Sequence, residues 1–372
     1  SFPKQIMLGA IEDNRLIYEM GVEVARQCSR LWVHVNFAPD ADINNNPGNP
    51  VINERSFGED RYNVTAKSFQ YMAGLQDGGV LACAKHFPGH GDTDVDSHFD
   101  LPLLGHSFER LDSLELYPFK MLTKNGIGSV MVAHLNVPAL DPRVNRPTSL
   151  SRPVITDLLR KKFDFQGLIF TDAMEMKGVT KHFGPGEADV EVFRAGNDVD
   201  LLPENLGAAM TALQTAVDNG TIDKKQLYDS CKRVLRSKYR LGITTPQRVE
   251  LNNLRRDLNT PQALVLKRKL VAAGLTLVRD EPGIVGFREL EKYRFATLAL
   301  GDTNRTVFQT YCGYYAPMKH FNAGKEVDTL VQKLLLDSLK QYNVVLVSIH
   351  GTRSKAIDNF GLSPSQMNLL HR

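Results

Sequence analysis

Two places in this chain gather side chains that can move protons or meet a polar ligand. The first is Lys85 to His98, KHFPGHGDTDVDSH, where two glycines, a proline and many ionisable groups follow a short apolar run from Gly79 to Ala84. Four of the ten histidines fall between His86 and His106. That composition makes a poor core and a good site, and loops at strand ends are where catalytic groups concentrate in parallel α/β folds. The second place is Asp172 in IFTDAM, a carboxylate directly after an apolar strand.

Asp96 and His98 stand two residues apart, so in an extended segment their side chains share one side. A carboxylate there holds an imidazole in one tautomer and raises its pKa, giving a proton donor near neutral pH. The same spacing also suits a solvated loop. Asp172 points into the mouth of the fold or, equally, caps the next helix, since Asp is a preferred N-cap. Arg55, Lys85 and His86 are the other groups expected to face a ligand. Guanidinium and ammonium donors suit a multiply hydroxylated molecule, although an ion pair with Glu59 or Asp60 would also satisfy them. His90, in PGHG, fits a site group or a turn stabiliser. His134, ending MVAH, fits a site group or a core imidazole bonded to backbone.

Metal and phosphate chemistry fare poorly. Asp92, Asp94, Asp96 and His98 alternate, but Ser97 and Leu103 stand where an EF-hand needs glycine and glutamate. There is no HExxH, GPGEAD lacks a third glycine, and no GKS or GKT occurs. Neither a metal nor a cofactor is expected.

The elements that must position these groups alternate. Helical spacing over Glu12 to Leu31 precedes a strand from Trp32, and a turn-rich loop, Asp40 to Asp60, precedes a helix at Tyr62 to Gln76. A strand at Val80, a helix at Ser107 to Lys124, a strand at Ser129 to Leu135, a helix capped by Ser151 and a strand at Gly167 to Met174 follow. A helix near Ala188, a strand at Asp198 to Pro203 and helices at Leu206 to Asn219 and Lys224 to Leu241 close this part. Short apolar strands alternating with helices imply parallel pairing. Asp40, Lys85, His134, Asp172 and Pro203 all stand at strand C-termini, the layout of a (β/α)8 TIM-like barrel rather than of a doubly wound sheet with one switch point. Five strands are too few to close it, so the N-terminal part is expected to be missing. The division expected is a barrel over 1–243, a linker over 244–258 and a smaller α/β sandwich domain over 259–372, with strands LTLV, ATLAL and VVLVSIH and a helix at Val327 to Gln341.

The 372 residues are 42% hydrophobic and 23% charged, an ordinary globular balance. A formal charge of +3 gives no argument for nucleic acid, and no apolar run approaches the roughly 20 residues that span a bilayer. Cys28, Cys83, Cys231 and Cys312 lie far apart without a CxxC pair, which speaks against zinc and a disulfide scaffold. The chain opens without methionine and stops in a helical pattern, so both ends read as cut.

Four blocks, DINNNPGNPVINERSFGED from Asp42, KHFPGHGDTDVDSH, MVAH and FTDAM, together resemble glycoside hydrolase family 3, and within it the bacterial β-N-acetylglucosaminidases. The resemblance implies a retaining mechanism with Asp172 as nucleophile and His98, paired with Asp96, as general acid and then base. It implies that Arg55, Lys85 and His86 bond sugar hydroxyls and that His134 lies beside the sugar. The DSH segment favours N-acetylglucosamine over glucose. The family's early substrate-binding aspartate before an EGG motif has no counterpart here. The expected partner is a carbohydrate, an N-acetylglucosaminide such as a muropeptide from peptidoglycan turnover. Two-domain members suggest the cell envelope, periplasm or exterior rather than the cytoplasm. A phosphorylase, a β-glucosidase and a non-catalytic sugar-binding protein are the alternatives.

Overall fold

Five parallel strands lie side by side in chain order in the computed structural model: β1 (Val35–Asn36), β2 (Leu81–Phe87), β3 (Ser129–Val132), β4 (Leu168–Ala173) and β5 (Val199–Leu201). The structure describes residues 2–371 apart from 97, 98, 246, 282, 284, 354 and 355, and for 356–358 the backbone alone. The sheet is the curled, open half of a TIM-like barrel, and each strand stands where the apolar runs predict one.

The pleat divides the strand residues between two layers. Leu81, Cys83, Met131, Leu168, Phe170, Val199 and Leu201 gather on one face with Val35 and Phe37. Ala82, Ala84, Val130, Val132 and Ile169 face the other way, into side chains of the crossover helices such as Leu75, Phe119 and Ile155. Both faces are therefore apolar, as parallel strands require.

The regularity fails at two strand ends. Between Ala84 and Phe87 on β2 there is one residue more than between their partners Val130 and Val132, and the same excess separates Phe170 from Ala173 opposite Val199 and Leu201. Such bulges re-aim side chains and are common beside active sites. Here they carry Lys85 and His86 on one strand and Thr171 and Asp172 on the other.

The helices Arg15–Arg30 and Arg61–Asp77 follow the spacing, the second capped by Asp60, whose carboxylate accepts the Asn63 N–H at 2.7 Å. The single helix expected over Ser107 to Lys124 is two, Phe108–Ser113 and Tyr117–Lys124. Pro118 is the reason: it suits the first turn of a helix and not its interior. Pro153–Lys162 follows Ser151 as expected but is wound as a π-helix.

The first compact unit runs to Thr276 and the second begins at Leu277, later in the chain than the linker at 244–258 and the domain start at 259 that the sequence suggests. The helix Pro261–Ala273 belongs to the first unit because its Leu270 is buried among Leu8, Ile17, Met20 and Phe57. Residues before it are also tied back, Asp257 accepting from Arg30 Nε at 3.1 Å. The second unit holds a three-stranded parallel sheet of β6 (Phe295–Leu300), β7 (Met318–Ala323) and β8 (Val344–Ile349), with β6 central. LTLV forms no strand, and β7, MKHFNA, escapes the pattern because an edge strand carries lysine and histidine.

Candidate active site

Asp42 is the hub at the mouth of the half-barrel. The turn after β1 buries it completely, and its carboxylate accepts three N–H groups: His86 backbone at 3.1 Å, His86 Nδ1 at 2.8 Å and His90 backbone at 2.7 Å. The loop from Asp42 to Asp60 is thereby fastened to the loop after β2. Asn49 adds a second clasp, donating to the His90 carbonyl at 2.8 Å and to Thr93 Oγ1 at 3.3 Å.

His86 is held from both sides. Its Nδ1–H goes to Asp42, so Nε2 is the acceptor for Arg55 Nη2 at 3.0 Å, because a guanidinium only donates. Burial pushes its pKa down to about 4, against the nearby Asp40 and Asp172 carboxylates. It is neutral at physiological pH. Both ring nitrogens are engaged within the protein, so the structure makes His86 a bridge between Asp42 and Arg55, and leaves Arg55 and Lys85 as the half-buried cationic groups.

Asp40 lies beside this pair, with Arg55 Nε 3.5 Å from its Oδ2. Burial and the neighbouring Asp42 charge outweigh His86 and Arg55 and push Asp40 up to about 8, so it holds a proton at neutral pH. Asp40, Asp42 and His86 offer the donor types of a metal site within 4.8 Å of one another. Asp42 and His86 are already bonded to each other and the Arg55 guanidinium brings positive charge to the cluster.

Asp172 stands at the end of β4, where its Oδ1 accepts the Ala173 N–H at 2.9 Å. Burial works against its charge, yet His86, His134, the Ala173 bond and Lys85 prevail and hold the carboxyl below its usual range. His134 is buried beneath it. Its Nε2–H donates to the Ala173 carbonyl at 3.0 Å and its Nδ1 accepts from Ser149 Oγ at 2.7 Å. Burial lowers the His134 pKa, so a neutral imidazole props the strand end that carries Asp172.

The geometry brings Arg55, Lys85, His86, His134 and Asp172 to one end of one sheet. His90 takes the turn role, its Nδ1–H donating to Thr93 Oγ1 at 2.8 Å. His98 lies outside the described residues. The Asp96 carbonyl accepts the N–H groups of Phe99 at 3.0 Å and Asp100 at 3.1 Å. Asp42 was missed as a site residue, although two carboxylates separated by one residue at a strand end, Asp40 and Asp42 in DAD, were an available signal.

Residues 1–237 match the glycosyl hydrolase family 3 N-terminal domain. The chain belongs to glycoside hydrolase family 3. Among its relatives, β-hexosaminidase A of Pseudoalteromonas piscicida is 34% identical over 308 residues, covering 78% of this chain and 50% of the relative. A β-N-acetylglucosaminidase/β-glucosidase of Cellulomonas fimi is 29% identical over 271 residues, covering 70% of this chain and 48% of the relative. The chain thus spans about half the length of these curated relatives. The solved family 3 β-N-acetylglucosaminidase of Paenibacillus sp. str. FPU-7 superposes with a TM-score of 0.80 at 32% identity, covering 99% of this chain and 70% of that one.

Proposed function

We propose that this family 3 chain carries the catalytic face of a retaining exo-β-N-acetylglucosaminidase, with Asp172 as nucleophile. The observation that carries the reading is an ionised Asp172 at a bulged strand end, flanked by Lys85 and two buried neutral histidines. In this scheme Asp172 attacks the anomeric carbon and forms a covalent glycosyl-enzyme while His98, oriented by Asp96, protonates the leaving oxygen. His98 then takes a proton from the water that hydrolyses the intermediate. Arg55 and Lys85 bond sugar hydroxyls, His86 fixes Arg55, and His134 supports Asp172. The five strands form part of an eight-stranded barrel, and the second unit part of an α/β sandwich. The relatives' names support N-acetylglucosamine as the sugar, and in this reading it is removed from the non-reducing end of peptidoglycan fragments in the cell envelope.

The test compares p-nitrophenyl β-N-acetylglucosaminide with the β-glucoside, with and without phosphate, for the unaltered protein, Asp172→Ala and His98→Ala. Preference for the N-acetyl substrate, lost in Asp172→Ala and indifferent to phosphate, supports the reading. Preference for the glucoside moves the specificity, phosphate-dependent release of a sugar 1-phosphate makes the enzyme a phosphorylase, and binding without turnover makes it a sugar-binding protein.

A further inference from the structure

A second cluster of ionisable side chains lies just beyond these groups. Asp92 Oδ2 is 2.7 Å from His106 Nε2 and 3.8 Å from Arg110 Nη2, and Arg110 Nη1 donates to both oxygens of Glu115 at 2.7 Å. Glu115 is buried in the break between the helices Phe108–Ser113 and Tyr117–Lys124. The loop after β2 closes down on it: Gly89 has φ +128°, and a Cβ there would stand 2.7 Å from Glu115 Cβ. Asp92, His106 and Glu115 have metal-ligand types, but the Arg110 guanidinium already bridges the two carboxylates.

Asp92 ties the start of the stretch that leads to Asp96 to His106 and Arg110. The far end of that stretch is secured differently, by backbone, with Leu104 N–H on the Asn136 carbonyl and Asn136 N–H on the Pro102 carbonyl, each at 2.8 Å. At the near end the ties beyond Gly89 run through side chains: the Asp42 carboxylate accepts the His90 N–H, Asn49 donates to the His90 carbonyl and Asn46 donates to the Thr93 carbonyl at 3.3 Å. His90 and Thr93 close its turn, while Asp92 joins it to His106 and to Arg110 of the neighbouring helix.

We propose that His106, Arg110 and Glu115 are positioning residues, which by gripping Asp92 fix where the loop after β2 leaves the fold ahead of Asp96, and so serve the proton transfer assigned to that loop. The inference rests on the reading that the acid/base lies in that segment. A misplacement of ~1 Å can cost about 10²-fold in rate, so a grip formed outside the reacting groups has catalytic consequences.

The experiment uses the full chain, with Arg110→Ala, Arg110→Lys, Asp92→Asn and, for reference, His98→Ala. Two aryl β-N-acetylglucosaminides are compared, the phenyl glycoside, whose leaving group needs a proton, and the 2,4-dinitrophenyl glycoside, whose leaving group does not. Arg110→Ala and Asp92→Asn are expected to lower kcat/KM about 10- to 100-fold on the phenyl substrate and no more than about 3-fold on the dinitrophenyl one, with Arg110→Lys between. Amide exchange over 89–100 should quicken by about tenfold or more while β3 keeps its protection. Equal losses on both substrates, or unchanged exchange over 89–100, overturn the proposal. Should Arg110→Ala fail to fold, Asp92→Asn, a milder change, carries the same comparison. If His98→Ala itself shows no dependence on the leaving group, the acid assignment falls, and the exchange measurement still decides whether the cluster grips the segment.

Discussion

The Asp42 carboxylate lies 2.8 Å from His86 Nδ1, and that contact decides which nitrogen of the imidazole carries the proton. With Nδ1–H turned to Asp42, Nε2 is left to accept Arg55 at 3.0 Å. One buried carboxylate thus fixes a tautomer, and the tautomer fixes a cation at the mouth of the site.

Asp42→Asn should be costly well beyond its size. The amide keeps one acceptor oxygen but turns an NH2 group toward N–H donors that Asp42 now satisfies. A loss of about 3 kcal/mol is expected, the cost of unpaired buried polar groups. Urea unfolding measures it, and a loss under about 1 kcal/mol would mean the site relaxes around the change.

Removing Arg55 should raise the pKa of His86. The guanidinium opposes protonation of the ring, as does burial, which is the larger cause of its fall to about 4. In Arg55→Met the imidazole loses a positive neighbour, and NMR titration of its ring protons should show an upward movement. No movement would mean that Arg55 does not act on His86 in solution.

Gly91→Ala should part the two signature loops. A Cβ at Gly91 would lie 1.8 Å from the Ile43 carbonyl oxygen, a backbone atom that cannot swing aside. Destabilisation of about 3 kcal/mol is expected, the upper range for overpacking. Thermal unfolding with a parallel activity measurement checks it, and a wild-type melting temperature would show that the loops are not in contact.

The pair Asp189 and Asp200 should impose a pH dependence on stability. Asp189 is buried, accepting the Gly186 N–H at 2.8 Å at the start of the helix Glu187–Ala195, and Asp200 lies on β5. Burial, then the hydrogen bond and charge of Asp189, push Asp200 up to about 8 from 3.8. The folded state binds this proton more tightly than the unfolded state, so stability is greatest below pH 3.8 for this group and falls as pH rises toward 8. Asp200→Asn should remove that fall and be more stable than wild type by about 2 kcal/mol at pH 8.5. Urea midpoints between pH 5 and 9 test it, and parallel curves for the two proteins would refute the pairing. Asp40, pushed in the same direction, leaves some slope in both.

Some of this was legible because it is local. The apolar runs at Leu81, Ser129 and Leu168, each followed by polar residues, located the strands and put Lys85, His134 and Asp172 at their ends. The break at Pro118 was also written in the sequence, and the helical periodicity around it overrode the signal. The strand Met318–Ala323 was not legible, since its identity comes from pairing with β6.

The sequence by itself determined the repeating order of short apolar strands and helices, the order of the polar blocks along it, and through them the family. Those properties depend on side-chain period and composition, which are set by neighbours in the chain. Only the tertiary structure decided that Asp42, 44 residues before His86, chooses its tautomer, that Arg55 answers to His86, and that Asp40 keeps a proton while Asp172 does not. Burial and the fields of distant charges make those choices, and both exist only once the strands lie side by side.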